Sequence, residues 1–157
     1  VIYIGPDGRC VEAGGRGVIT FDVRFGYWET ERMARQRGLL FDTFYGVVSP
    51  LDTLGLGEED EQEMRKTVAA YCLAQVGKPY NLNFLNSETE ESFYCSQLAY
   101  KAYRQVGIDL NTGLAMEQLP GTNAIIYPQE IWEGFSHRVS QNAPDLGSSN
   151  QLAKNPS

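Results

Sequence analysis

The sequence predicts an α+β domain in which an antiparallel sheet, built from the N-terminal strands, packs against two helices. Three observations predict it. The first twenty-three residues alternate short β-prone runs with turn chemistry. Two later stretches, 57–76 and 94–106, repeat apolar residues at steps of three and four. A chain of 157 residues with 42% hydrophobic content supplies one sizeable core, too short for two domains.

Taken in order, Val1 to Ile4, the Gly5-Pro6-Asp7-Gly8 turn and Arg9 to Ala13 read as a hairpin, because Pro-Asp-Gly between β-rich runs is strong turn chemistry. Gly14-Gly15-Arg16-Gly17 reads as a flexible connection to a third strand, Val18 to Val23. The charged stretch Tyr27 to Arg37 reads as a surface helix, and Phe41 to Val48 as a further strand ending at Ser49-Pro50. From Gly57 to Val76, the residues Met64, Val68, Tyr71, Cys72 and Val76 recur at helical spacing. They follow an acidic first turn, Glu58 to Glu61, which suits the positive end of a helix dipole. Gly77-Lys78-Pro79 ends this helix, and Tyr80 to Glu91 reads as a polar loop. A second helix runs from about Tyr94 to Val106, with Leu98, Ala99, Ala102 and Val106 on one face and Gly107 as its C-cap. Ile108 to Gly121 reads as loop, Asn123 to Tyr127 as a strand and Pro128 to Phe135 as a helical turn. Residues 140–157, rich in Asn, Ser, Pro, Gly and Gln, read as an extended or disordered tail, which leaves 1–139 as the domain proper.

A net charge of -7 and a pI near 4.7 argue against nucleic-acid binding, since phosphate recognition needs clustered cations and the thirteen Lys and Arg are scattered. Neutral, cationic or amphiphilic substrates fit this balance. No run approaches the roughly 18 consecutive apolar residues that a membrane span needs. The chain opens with Val1 inside an apolar run, so an upstream piece is expected to precede it. Three widely spaced cysteines imply neither a disulfide framework nor a zinc site, and one histidine cannot build a His-ligated metal centre.

Cys95 is the sharpest chemical signal. A thiol in the first turn of a helix meets the positive end of the dipole and unpaired backbone N–H groups, which favour a thiolate and supply an oxyanion site. The phase of Leu98, Ala99, Ala102 and Val106 puts the thiol on the buried edge of its helix, and the plain alternative is a small core residue. Cys72, mid-helix in the apolar stripe, and Cys10, inside a strand, read as packing residues. A thiol nucleophile needs a base oriented by a third group. His137, beside Arg138, is one candidate base and otherwise an exposed or capping residue. Glu12, between Val11 and Ala13 in a strand, is either a solvent-facing residue or a carboxylate that holds an imidazole on the adjacent strand. Asp22, Glu29 and Asp109 are candidates for a cationic group, with solvated surface roles as the alternative.

The blocks Gly77-Lys78-Pro79-Tyr80-Asn81, Phe93-Tyr94-Cys95-Ser96-Gln97-Leu98, Ala102-Tyr103 and Gly107-Ile108-Asp109-Leu110 resemble the YiiX/YebB-like group of circularly permuted, NlpC-type papain-fold proteins. Val1-Ile2-Tyr3-Ile4-Gly5, the turn, and Val11-Glu12-Ala13 resemble its strand segment, so the likeness spans roughly Val1 to Val139. The resemblance implies Cys95 as nucleophile, Glu12 as the carboxylate orienting the base, and Tyr94 as a residue lining the centre that helps bind the oxyanion. The family histidine falls one or two residues before Val1, and the expectation is that the protein carries it just upstream.

The function so implied is cysteine-dependent cleavage of amide bonds, through a thioester and without metal or organic cofactor. The family suggests cell-wall peptides as substrate and a bacterial envelope or secreted location. Two alternatives stand beside it: a lipid-directed thioesterase, amidase or acyltransferase of the same fold, and a binding module that keeps the fold without the chemistry.

Overall fold

The computed structural model describes residues 1–5, 7–23, 46–114, 121 and 124–140. The expected helix at 27–37, with Glu29, the first part of the expected strand at 41–48 and the tail from 141 lie outside the described residues.

The expected hairpin is present. Strand β1 (Ile2–Tyr3) pairs antiparallel with β2 (Arg9–Gly14), with Ile2 opposite Val11 and Tyr3 opposite Cys10. Gly8, at φ 87°, makes the turn in a backbone region that side chains rarely tolerate. The Gly14-to-Gly17 connection is tighter than the flexible link expected. Pairing of β2 with β3 (Gly17–Asp22) continues to Gly14 opposite Gly17, so Gly15 and Arg16 alone form the loop. Gly17 has a second reason to be glycine: a Cβ there would lie 2.5 Å from Lys78 O. The neighbouring amides close this approach, with Val18 N–H donating to Lys78 O and Gly77 N–H to Val18 O, both at 2.9 Å.

Helix α1 (Glu58–Ala74) carries its acids in the first turn as expected, and α2 (Cys95–Arg104) follows the intervening loop. Gly107, at φ 80°, ends the α2 region, and Ile108 N–H reaches back to Tyr103 O at 3.1 Å. One core joins Ile2, Val11, Ala13 and Val18 of the sheet to Val68 and Cys72 of α1, Leu98 and Ala102 of α2, and Phe93. A second, formed by Leu51, Tyr94, Tyr100, Ile108, Leu110 and Ile126, lies on another side of α2. Val76, expected in the apolar stripe of α1, lies beyond the helix end and is exposed.

Two C-terminal expectations change. Residues 124–127 are not a strand; instead β4 (Gly46–Val48) pairs antiparallel with β5 (His137–Val139) as a separate two-stranded sheet. The strand at 137–139 had no apolar alternation to announce it, because all three of its residues are exposed and its order comes from the ladder with β4. The helical turn after Pro128 is α3 (Pro128–Gly134), with Pro in its first turn where the missing N–H costs nothing.

Cys72 is fully buried, and burial pushes its thiol up from 9.0 to about 12. The folded thiol keeps its proton where the unfolded one loses it. Its contribution to stability is therefore complete below about pH 9 and fades as pH rises towards 12, at about 1.4 kcal/mol per pH unit. Between pH 9 and pH 10, urea unfolding of the unaltered protein should lose about 1 kcal/mol more than that of Cys72→Ala. Equal losses would contradict the assignment.

Candidate active site

The start of α2 is held by one side chain. Gln97, fully buried, fills every hydrogen-bonding position its amide has. Its Oε1 accepts from Tyr94 N–H at 3.1 Å and from Asn81 Nδ2 at 3.0 Å. Its Nε2 donates to Ser87 O at 3.2 Å and Thr89 O at 3.0 Å. The bond to Tyr94 is the reach-back half of a capping box, and the others tie the 81–89 loop to the helix that carries the thiol.

On the other side of the same turn the backbone of Ile126 is clamped by the two neighbours of Cys95. Ile126 N–H donates to the Tyr94 hydroxyl at 3.1 Å, and Ser96 Oγ donates to Ile126 O at 2.6 Å. Tyr94 and Ser96 are buried while Cys95 between them is exposed. The expectation that the thiol lies on the buried edge of the helix is therefore corrected. A helical Cα–Cβ bond tilts towards the N-terminus, so the first residue projects its side chain past the helix end rather than over the core. Cys10 and Cys72 are buried, as their positions in a strand and a helical stripe suggested.

Two tyrosines flank the thiol. Burial raises the Tyr94 phenol above its ordinary value; the Ile126 amide opposes this, and the charge of a Cys95 thiolate adds to it. Tyr80 is raised by burial and then by Cys95. The sequence placed Tyr80 in the 80–91 loop expected to form one rim of the cleft, without a catalytic role of its own, although it stands in the Gly77-to-Asn81 block that carried the resemblance. Phe84 completes the group, meeting Tyr94 edge-on at 5.3 Å and Tyr80 at 6.5 Å between ring centroids.

Glu12 is buried rather than solvent-facing. The pleat of β2 turns Val11 and Ala13 towards the core shared with α2, and Cys10 and Glu12 to the opposite face, where Cys10 packs with Phe21. The carboxylate leans towards Gly14, with Oε1 3.7 Å from where a Cβ on that glycine would stand. That end of the hairpin, through Gly17, abuts Lys78 and Pro79, and Tyr80 follows directly. Glu12 thus shares no packing face with α2, yet it lies towards the sheet end nearest the tyrosines.

His137 is exposed in β5, its ring 4.2 Å from that of Trp132 and its Nδ1 3.0 Å from Phe135 O. Asp109 accepts Asn111 N–H in a local turn at 2.8 Å, and Asp22 is exposed at the end of β3. Among the described residues, no three His, Cys, Asp or Glu side chains gather as a metal site would need.

An accessible cysteine as the first residue of a buried helix is an arrangement that a thiol nucleophile can use. The family model of the permuted papain-like amidase enzymes, YaeF/YiiX, C92 family, matches residues 55–146, more than half of the chain, and this chain belongs to that family. The matched region contains Tyr94, Cys95 and Gln97 but not the hairpins that carry Glu12. No curated protein and no solved structure matches the chain.

Replacing Gln97 with Met conserves volume but removes the partner of the buried Tyr94 N–H and Ser87 O, one of two acceptors of Asn81 Nδ2 and one donor to the part-buried Thr89 O, and a buried group left unmade costs about 1–3 kcal/mol. Gln97→Met should cost about 3 kcal/mol or more in urea unfolding, and the Tyr94 and Asn81 amides should lose hydrogen-exchange protection first. A loss below about 1 kcal/mol would show that the network does not hold the helix start.

Proposed function

We propose that this chain is a thiol-dependent amidase in which Cys95 is the nucleophile. The observation that carries the reading is the contrast among its cysteines: Cys95 alone is exposed, at a helix start inside the matched family region, while Cys10 and Cys72 are enclosed. The Cys95 thiolate adds to the carbonyl carbon of an amide, and the tetrahedral oxyanion is held by the backbone N–H of Cys95 at the open end of α2. Tyr94 accepts from Ile126 through its oxygen, which leaves its own proton as a second donor to the oxyanion. The C–N bond breaks, the amine leaves with a proton, and water cleaves the thioester to a carboxylic acid and the free thiol.

Glu12 is proposed to orient an imidazole carried by chain upstream of Val1.

For the substrate, the resemblance and the net charge of -7 support an amide in a cell-wall peptide, whose free amine an acidic surface tolerates. A second reading, a lipid-directed amidase or thioesterase, is favoured by the exposed Leu82, Phe84 and Leu85 in the loop beside Cys95.

In the folded protein at neutral pH, iodoacetamide should alkylate Cys95 at least a hundredfold faster than Cys72 or Cys10, read by peptide mass spectrometry. In a chain extended upstream of Val1, Cys95→Ala should lower amide hydrolysis on the order of a thousandfold or more. Equal labelling of the three thiols would favour a binding module. Stem peptides left intact by the extended enzyme would remove the cell-wall substrate.

A further inference from the structure

Residues 125–127 belong to neither a strand nor a helix, yet Ile126 among them is only 2% exposed, so its backbone groups must find partners inside the protein. They find them on the two residues that flank the thiol. Chemistry fixes the direction of both bonds: the Ile126 amide can only donate, so the Tyr94 oxygen accepts at 3.1 Å, and the Ile126 carbonyl can only accept, so Ser96 Oγ donates at 2.6 Å. Tyr94 and Ser96 are themselves buried.

The two bonds do different things. The bond to Tyr94 occupies a lone pair of the phenol and draws charge from its oxygen, which strengthens its proton as a donor and turns that proton away from Ile126. The phenol feels the charge of a Cys95 thiolate, so it stands close to the chemistry. The bond to Ser96 reaches the phenol only through the peptide. The Ile126 side chain is enclosed with Leu51, Tyr100 and Leu110, which fixes where the residue sits. How its amide is turned is a separate matter, set by the carbonyl joined to it through a single Cα, and Ser96 holds that carbonyl.

We propose that Ser96 is a positioning residue for the reaction: its hydroxyl, through the Ile126 backbone, aims the Tyr94 proton at the oxyanion that forms when Cys95 attacks a carbonyl. The inference rests on the reading above, in which Cys95 is the nucleophile and Tyr94 a donor to the oxyanion. The step it serves is the addition itself. The C–S bond forms, the carbonyl π pair moves onto oxygen, and Tyr94 hydrogen-bonds that oxygen while keeping its proton. Ser96 exchanges no proton with the substrate.

Two reagents separate this role from a merely structural one. Iodoacetamide alkylates the thiolate by displacing iodide and develops no oxyanion, whereas p-nitrophenyl acetate acylates it through one, with loss of p-nitrophenolate. In the chain extended upstream of Val1, the ratio of acylation to alkylation rate at Cys95, followed by peptide mass spectrometry, therefore reads oxyanion support apart from thiol activation. Ser96→Ala should lower the ratio about tenfold or more, and Tyr94→Phe at least as far. Ser96→Thr, which keeps the hydroxyl, should hold the ratio of the unaltered protein. The double variant Tyr94→Phe/Ser96→Ala should fall no further than Tyr94→Phe, because nothing is left to aim. An unchanged ratio in Ser96→Ala, or a double variant in which the two losses multiply, overturns the positioning role and leaves the nucleophile standing. An unchanged ratio in Tyr94→Phe overturns it as well, whether or not Ser96→Ala folds. If p-nitrophenyl acetate leaves Cys95 of the unaltered protein free, the nucleophile falls, and the positioning role with it.

Discussion

The amide of Gln97 is the constraint on which the candidate site depends. It sits where no water reaches and has two acceptor and two donor positions to satisfy, so each wrong placement of the 81–89 loop would strand a buried polar group. The partners it finds are the cap amide of the thiol helix, the side chain that shapes the apolar loop, and two carbonyls farther along that loop. One side chain therefore sets helix start and loop together, and the Ile126 backbone locks the opposite side through Tyr94 and Ser96. Cys95 is left as the exposed residue of a rigid turn, which is the condition for an oriented nucleophile.

The helix that carries the thiol is also the hub of the packing. Leu98 and Ala102 enter the core shared with the sheet and α1, while Tyr100 enters the core shared with Leu51, Leu110 and Ile126. The helix is divided along its length, with the middle buried on two sides and the first residue open. The fates of the three cysteines follow. Cys72, in the middle of a packed helix, keeps its proton far above neutral pH, and Cys10 is enclosed beside Phe21. Neither is open to solvent, as Cys95 is.

Much of this was legible beforehand wherever local pattern and tertiary demand agree. Helical spacing marked α1 and α2, and the Pro-Asp-Gly turn marked the first hairpin, because in each case the residues that shape the element also bury it. The reading of 123–127 as a strand failed over 124–127, since β-prone composition has no force without a partner ladder. Residues 137–139 became a strand because β4 supplied one. The burial of Glu12 was equally hidden: alternation shows that it points away from Val11 and Ala13, but not that this second face is covered too.

By itself, the sequence determined the first hairpin, the two helices α1 and α2, the helix-start position of Cys95 and the family to which those blocks belong, all of which depend on neighbours a few residues apart. Only the tertiary structure decided that Cys95 is open while its neighbours are closed, that Tyr80 and Phe84 join Tyr94 around it, and that Leu82 and Leu85 stand in water. Those facts arise from segments distant along the chain meeting in space. Burial and hydrogen-bond satisfaction are properties of the assembled surface, and no local periodicity encodes them.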